Sequence, residues 1–142
     1  MDNIGVEIDV VVEDCLAALA RYEFAFPVER IEVTDLPTGQ NEAVFTIFGT
    51  RFHFLDAVPD AGLVAPGPEG VQSVWFNLTV PDIAATHAGA LDAGFVEIQP
   101  VTEIPEMGVS NSILGDGHGL VWMLHQVHRD VPFEDRVDAS GR

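Results

Sequence analysis

The sequence predicts an α+β fold made of two β-α-β-β-β modules, and three observations predict it. Val6-Glu-Ile-Asp-Val-Val-Val-Glu-Asp14 reads as a strand running into a helix start. Val74-Trp-Phe-Asn-Leu-Thr-Val-Pro-Asp82 repeats it, with Val6, Val12 and Asp14 matched by Val74, Val80 and Asp82 at a constant offset of 68 residues. A second correspondence closes each half: Phe48-Gly-Thr-Arg-Phe-His-Phe-Leu against His118-Gly-Leu-Val-Trp-Met-Leu-His. Between the halves, residues 57–72 are rich in Pro and Gly and follow no usable period. Internal repetition of this kind sets architecture before any single residue is considered.

Residues 6–12 alternate, with Ile8, Val10 and Val12 on one face and Glu7, Asp9 and Val11 on the other, as a half-buried strand does. Asp14 follows as the helix cap, because its carboxylate accepts orphan backbone N–H groups. The helix it opens, over about 15–25, places Leu16, Leu19, Ala20 and Phe24 along one face, and Pro27 stops it. Strands are predicted over 31–35, 43–48 and 50–56, with Gly49 in a tight turn between the last two. The Phe residues at 45, 48, 52 and 54 read as strand core. The second half repeats the order: a strand over 73–80, a helix over 82–93 closed by Gly94, then strands over about 95–101, 108–114 and 120–127. The chain thus divides into a first module (1–56), the Pro/Gly-rich connection (57–72), a second module (73–128) and a charged tail (129–142). The tail is expected to fray or pack on the outside, and the whole to form one compact domain.

Apolar residues make up 47% of the chain, enough for a core, and no apolar run reaches the ~18–20 residues needed to span a bilayer. The N-terminus has no basic segment followed by an apolar stretch, so no secretory signal is expected. Cys15 is the single cysteine, which excludes an intrachain disulfide, and a structural thiol in a cytoplasmic protein is the simplest expectation. The 23 acidic residues face only six basic ones, all arginine, for a formal net charge of −17. Such a surface repels phosphate backbones and anionic membranes, so neither nucleic acid nor membrane is expected as a partner. The same charge favours cationic ligands through long-range steering.

Two modules with these opening and closing motifs resemble the vicinal oxygen chelate superfamily, which includes glyoxalase I, extradiol dioxygenases and bleomycin- and fosfomycin-resistance proteins. The resemblance covers residues 5–128. It rests on the strand-Asp-helix opening with Leu16-Ala-Ala-Leu-Ala-Arg-Tyr22, and on Leu114-Gly-Asp-Gly-His-Gly-Leu-Val-Trp122. The latter looks like the family's closing turn, with Gly117 where proline is usual. Residues 75–82, 98–102 and 105–108 point more narrowly to a PhnB-like branch. The resemblance implies a glyoxalase/bleomycin-resistance-type curved mixed sheet around a cleft, and a homodimer. In metal-using members each module offers one ligand from its first strand and one from its last. Here those places hold Glu7 and His53 in the first module and Trp75 and Met123 in the second. An indole and a thioether are poor ligands for hard or borderline ions. No metal site of the family's usual kind and no cofactor are therefore expected. A divalent metal on Glu7 and His53, helped by Asp9, His125 or water, is the open alternative.

With the family pairing, Glu7, Asp9 and Val11 share a wall of the cleft with Arg51 and His53, and the opposing module contributes Trp75, Asn77, Thr79, Val121, Met123 and His125. One side is acidic and titratable, the other aromatic and hydrogen-bonding, which suits a small organic ligand. Repulsion between Glu7 and Asp9 raises the pKa of one of them, and a carboxylate so poised can take a proton next to a carbonyl, with His53 or His125 as the acid partner. The plainer alternative is a Glu7–Arg51 ion pair. The leading expectation is small-molecule binding. A metal-dependent lyase or isomerase using Glu7 and His53 is the alternative, and a vestigial cleft is a third reading. His87 is expected to be a structural histidine on the inner face of its helix. Gly115–Gly119 lacks the strand-to-helix context of a phosphate loop.

Overall fold

The structure is a computed structural model that describes residues 4–67 and 72–140. It contains two compact units, Met1–Gly70 and Val71–Arg142. The first unit runs β1 (Asp9–Val12), α1 (Cys15–Ala25), β2 (Val28–Val33), β3 (Glu42–Ile47) and β4 (Thr50–Asp56), with strands ordered β1-β4-β3-β2. The second runs β5 (Phe76–Thr79), α2 (Ile83–Asp92), β6 (Val96–Ile104), β7 (Val109–Gly115) and β8 (Val121–Val127), ordered β5-β8-β7-β6. In each, the first strand runs parallel to the last and the other pairs are antiparallel. Asp9 lies opposite His53 and Asn77 opposite Met123, so the repeat extends from sequence to topology and register.

The two helix starts are built alike. Asp14 Oδ1 accepts the Ala17 N–H at 3.0 Å, and Asp82 Oδ1 accepts the Ala85 N–H at 3.1 Å. The first N–H of each helix has no intrahelical partner, and in both units the last strand supplies one. Cys15 N–H donates to Asp56 Oδ1 at 2.8 Å, and Ile83 N–H to Gln126 Oε1 at 2.9 Å. These bonds tie each helix to its sheet. α2 ends in a Schellman motif: Gly94, at φ +103, donates to Leu91 O and Phe95 N–H donates to Ala90 O, both at 3.0 Å. The core of the first unit is aromatic, with the buried Tyr22 ring edge-on to Phe54 at 5.6 Å and 6.1 Å from Phe45. In the second, Trp122 is fully buried with Phe76 at 4.8 Å. No helix among the described residues is long and apolar enough to cross a membrane.

Several elements differ from the sequence reading. β1 begins at Asp9 and β5 at Phe76, later than expected, and Ile8 is 68% exposed. Alternation marks a face, but an edge strand bonds to only one neighbour, so it does not set the strand's length. The buried face of α1 is Cys15, Ala18, Leu19 and Tyr22, while Phe24 is 70% exposed. The helix carries more apolar residues than one face holds, and the Phe45–Phe54 cluster selects Tyr22. β2 starts at Val28, directly after Pro27, and is bulged between Arg30 and Glu32. β6 reaches Ile104 and carries Pro100 between two register shifts, which an edge strand tolerates. The connection contains a 3₁₀ turn at Pro59–Ala61; its residues 68–71 lie outside the described residues. The tail, expected to fray or pack on the outside, forms helix α3 (Phe133–Ser140), with Glu134 and Asp135 in the first turn where they complement the helix dipole.

Phe48 is not core. It occupies the first position of the two-residue β3–β4 loop at φ +47, 42% exposed, followed by Gly49 at φ +80. Two positive φ values match the type I′ turn that fits the twist of paired strands, for which Asn-Gly is the favoured pair. A bulky side chain in the left-handed region is strained. Phe48→Asn is expected to raise the unfolding free energy by about 0.5–1 kcal/mol. Urea denaturation reads this directly, and a lowered midpoint would show that the exposed ring contributes packing that outweighs its strain.

Candidate functional site

The chemistry of the first unit gathers where the segment leading into β1 meets β4. His53 Nδ1 lies 2.6 Å from Glu7 Oε1 and 3.2 Å from Asp9 Oδ1. Arg51 Nη1 donates to Glu7 Oε2 at 3.2 Å, which is the ion pair that the plainer alternative foresaw. The four residues singled out from this module therefore do come together. A fifth, Glu42, was missed. Its Oε2 stands 3.6 Å from His53 Nε2, a buried nitrogen with no hydrogen-bond partner among the described residues. Val44 lies opposite His53 and Glu42 opposite Leu55, so Glu42 shares the face of His53 only because of the β3–β4 register. The available signal was one charged residue opening the otherwise apolar run at 43–45.

The shared geometry separates the two carboxylates. Glu7 is lowered to about 2, first by its hydrogen bond with His53 and next by that with Asp9. Asp9 is raised, chiefly by the hydrogen bond with Glu7 and then by desolvation. For His53, burial is the largest single influence and pulls downward. The Glu7 hydrogen bond and the charges of Asp9, Glu7 and Glu42 together outweigh it, so its pKa is raised. The expected separation of the two carboxylates thus runs downward for Glu7 and upward for Asp9. Of the two, Asp9 is the more basic carboxylate. The Glu7 side chain is 46% exposed, so its ion pairs are screened and add little to stability.

Ligand atoms of Glu7, Asp9 and His53 lie within 4.8 Å of one another. One nitrogen and several oxygens suit a divalent first-row ion with positions left open for other ligands. The corresponding places in the second unit hold different chemistry. Trp75 precedes β5 and is 48% exposed; Asn77 is exposed on β5, opposite the half-buried Met123. His125 is half-buried, opposite Thr79 on one side and Asn111 on the other. A divalent metal, the open alternative, would therefore find fitting ligands in the first unit and not at the corresponding places of the second.

Two other groupings are structural. His87 Nδ1 is 2.9 Å from Ser112 Oγ, and its Nε2 is 2.8 Å from Glu97 Oε1, the order of a nucleophile, an imidazole and a carboxylate. Ser112 is fully buried and His87 nearly so, leaving no room for an acyl group at Oγ. The trio joins α2, β7 and β6, which agrees with a structural His87. Cys15 is buried, and its thiol is pushed up to about 12 by burial first and by Asp56 next, so it is no thiolate nucleophile at neutral pH.

Paired β-α-β-β-β modules with a first strand parallel to the last define a class of architecture. The chain has a glyoxalase/bleomycin-resistance-type fold. No family model matches the sequence, and no curated protein matches it. Among solved structures, the genomically encoded fosfomycin resistance protein FosX from Listeria monocytogenes, complexed with Mn(II) and sulfate, aligns with a TM-score of 0.68 and 13% identity over 99% of both chains. A glyoxalase/bleomycin resistance protein/dioxygenase family enzyme from Burkholderia phytofirmans PsJN aligns at 0.67 and 18% identity, over 85% of this chain and 96% of that one. TioX from Micromonospora sp. ML1 aligns at 0.61 and 14% identity, over 90% and 99%. At these identities the likeness is one of fold.

Proposed function

We propose that this chain binds a small organic ligand, with Glu7, Asp9, Arg51 and His53 as the polar anchor within the first unit, and with Trp75, Asn77, Met123 and His125 as the candidate aromatic and hydrogen-bonding contacts within the second. The convergence of two carboxylates, an imidazole and a guanidinium on one partly exposed strand edge carries this reading. The surplus of carboxylates there, Glu42 included, favours a cationic group on the ligand. The narrower PhnB-like assignment, a homodimer and a cytoplasmic location belong to the same proposal, as do the absence of nucleic-acid and membrane partners at a net charge of −17.

The donor set of Glu7, Asp9 and His53 favours a second reading, a divalent-metal lyase or isomerase. FosX from Listeria monocytogenes has been solved with Mn(II). An ion held by Glu7, Asp9 and His53 would polarise a carbonyl or phosphoryl oxygen, with Arg51 holding Glu7 in place.

Thermal unfolding with Mn²⁺, and separately with a panel of cationic antibiotics, tests both readings. A ligand at a hundredfold excess over its Kd stabilises the folded chain by about 2.7 kcal/mol. The expected result is a saturable stabilisation by at least one cationic antibiotic that is lost in Glu7→Gln. Stabilisation by Mn²⁺ that is lost in His53→Ala would move the conclusion to the metal reading. Neither response, with both variants folded, would refute the site.

A further inference from the structure

We infer that the second unit carries a pocket for a small amphipathic organic carboxylate, built by the C-terminal segment folding over β7 and β8. The inference goes beyond the ligand-binding reading above, whose preference for a cationic group belongs to the first unit's carboxylates, and shares only His125 with it.

A cavity of about 300 Å³ is lined by residues of β7 and β8 and by the segment from Arg129 to Arg136. Cross-strand neighbours form its sheet side: Val109 opposite Val127 and Asn111 opposite His125. Ile104, Met107 and Val131 extend the apolar wall. This size matches the lower end of small-molecule sites, where apolar walls bind the body and a few polar groups orient it.

The polar groups select an anion. Arg129 and Arg136 both line the cavity, against Asp130 as its one carboxylate. Placing two of only six basic residues in one cavity reverses locally the sign of a chain that carries 23 acidic ones. Guanidinium groups pair with carboxylates through charge-assisted, often bidentate hydrogen bonds. The strongly negative chain opposes a doubly charged phosphate more than a monocarboxylate. Asn111 Oδ1 and His125 Nδ1 are enclosed without a hydrogen-bond partner among the described residues, whereas buried polar groups are ordinarily paired. A hydroxyl or amide on the ligand body would supply donors to them.

The C-terminal segment is held in place by its own sequence. Gly108, at φ +70, accepts the N–H groups of His128 at 2.8 Å and Arg129 at 3.2 Å through its carbonyl. A Cβ at position 108 would stand 2.6 Å from the Arg129 carbonyl oxygen, so only glycine permits this approach. Arg129 Nη2 donates to Pro105 O at 2.7 Å and fixes the turn. Arg136 is exposed on α3, its guanidinium 5.9 Å from the centre of the Phe133 ring, and is the residue assigned to the ligand's charge.

The test is an NMR titration of the ¹⁵N-labelled full chain with 3-phenylpropanoate and, in parallel, with the uncharged 3-phenylpropanamide. The expected result is saturable shifts at Asn111, His125 and Val131, with the acid bound about tenfold more tightly than the amide. Arg136→Ala, on an exposed helix face, should weaken the acid about tenfold and leave the rest of the spectrum unchanged. Equal affinity for acid and amide, no effect of Arg136→Ala, shifts confined to other residues, or no saturable shift would each overturn the inference. Binding of a cationic antibiotic or Mn²⁺ that depends on Glu7 or His53 is read separately. If it persists while the carboxylate fails, only this pocket assignment falls.

Discussion

Asp56→Ala is expected to lower the unfolding free energy by about 3–5 kcal/mol, the scale of breaking a buried charged hydrogen-bond network. Asp56 closes β4 with 2% of its surface exposed. Its Oδ1 accepts the Cys15 N–H at 2.8 Å, and its Oδ2 accepts those of Gly39 at 2.8 Å and Asn41 at 3.0 Å. One carboxylate thus holds the start of α1 and the β2–β3 connection onto the sheet, and its removal leaves three donors without a partner. Each unpaired buried group costs about 1–3 kcal/mol, less where water can reach it. Burial is the largest influence on its acidity and raises the pKa; the N–H groups of Cys15, Asn41 and Gly39 together with the Cys15 side chain outweigh it, so the pKa is lowered. The folded value lies below the ordinary 3.8, so this stabilisation is fully present above about that pH and is lost as the pH falls through the folded value. Urea denaturation from neutral pH into the acid range should show Asp56→Asn less stable at pH 7 and with a flatter acid limb. Equal stability at pH 7 would mean that the three N–H groups find other partners.

Trp122→Ala is expected to cost about 3–5 kcal/mol, the range for emptying a buried aromatic site. Trp122 is fully buried on β8, in ring contact with Phe76, and its Nε1–H donates to Asp116 Oδ2 at 3.1 Å. Asp116 keeps the backbone N–H groups of His118 at 2.7 Å and Leu120 at 3.1 Å on its other oxygen, so its charge is not stranded. Trp122→Phe keeps most of the ring and isolates the indole hydrogen bond, with an expected loss of about 1–3 kcal/mol. Guanidinium denaturation of both variants separates the two contributions. A Trp122→Ala cost under about 1 kcal/mol would show that the β7–β8 turn collapses to fill the space.

Much of this molecule was legible because repetition is itself a physical signal. Asp14 and Asp82 cap their helices as the repeated motif required, and Gly94 closes α2. Period-two alternation placed Glu7 and Asp9 on one face, the pairing that the resemblance implies set Arg51 and His53 beside them, and the structure brings the four together. Phe24 and Phe48 were misread for a common reason. Hydrophobicity marks residues able to enter a core, while the packing partner decides which do. Tyr22 displaced Phe24 because Phe45 and Phe54 offer it a ring cluster. Phe48 was left outside by a two-residue loop.

The sequence by itself determined the two-module architecture, the helix caps and the strand faces. These are local properties, written in period, cap chemistry and residue type within a few positions. Only the tertiary structure decided that Glu42 stands beside His53, that Glu7 is lowered while Asp9 is raised, and that residues of the tail line one cavity with Asn111 and His125. Each of these depends on register between strands or on contact between distant segments. Hydrogen bonds and charge interactions act over a few ångströms of space, and only folding sets those distances.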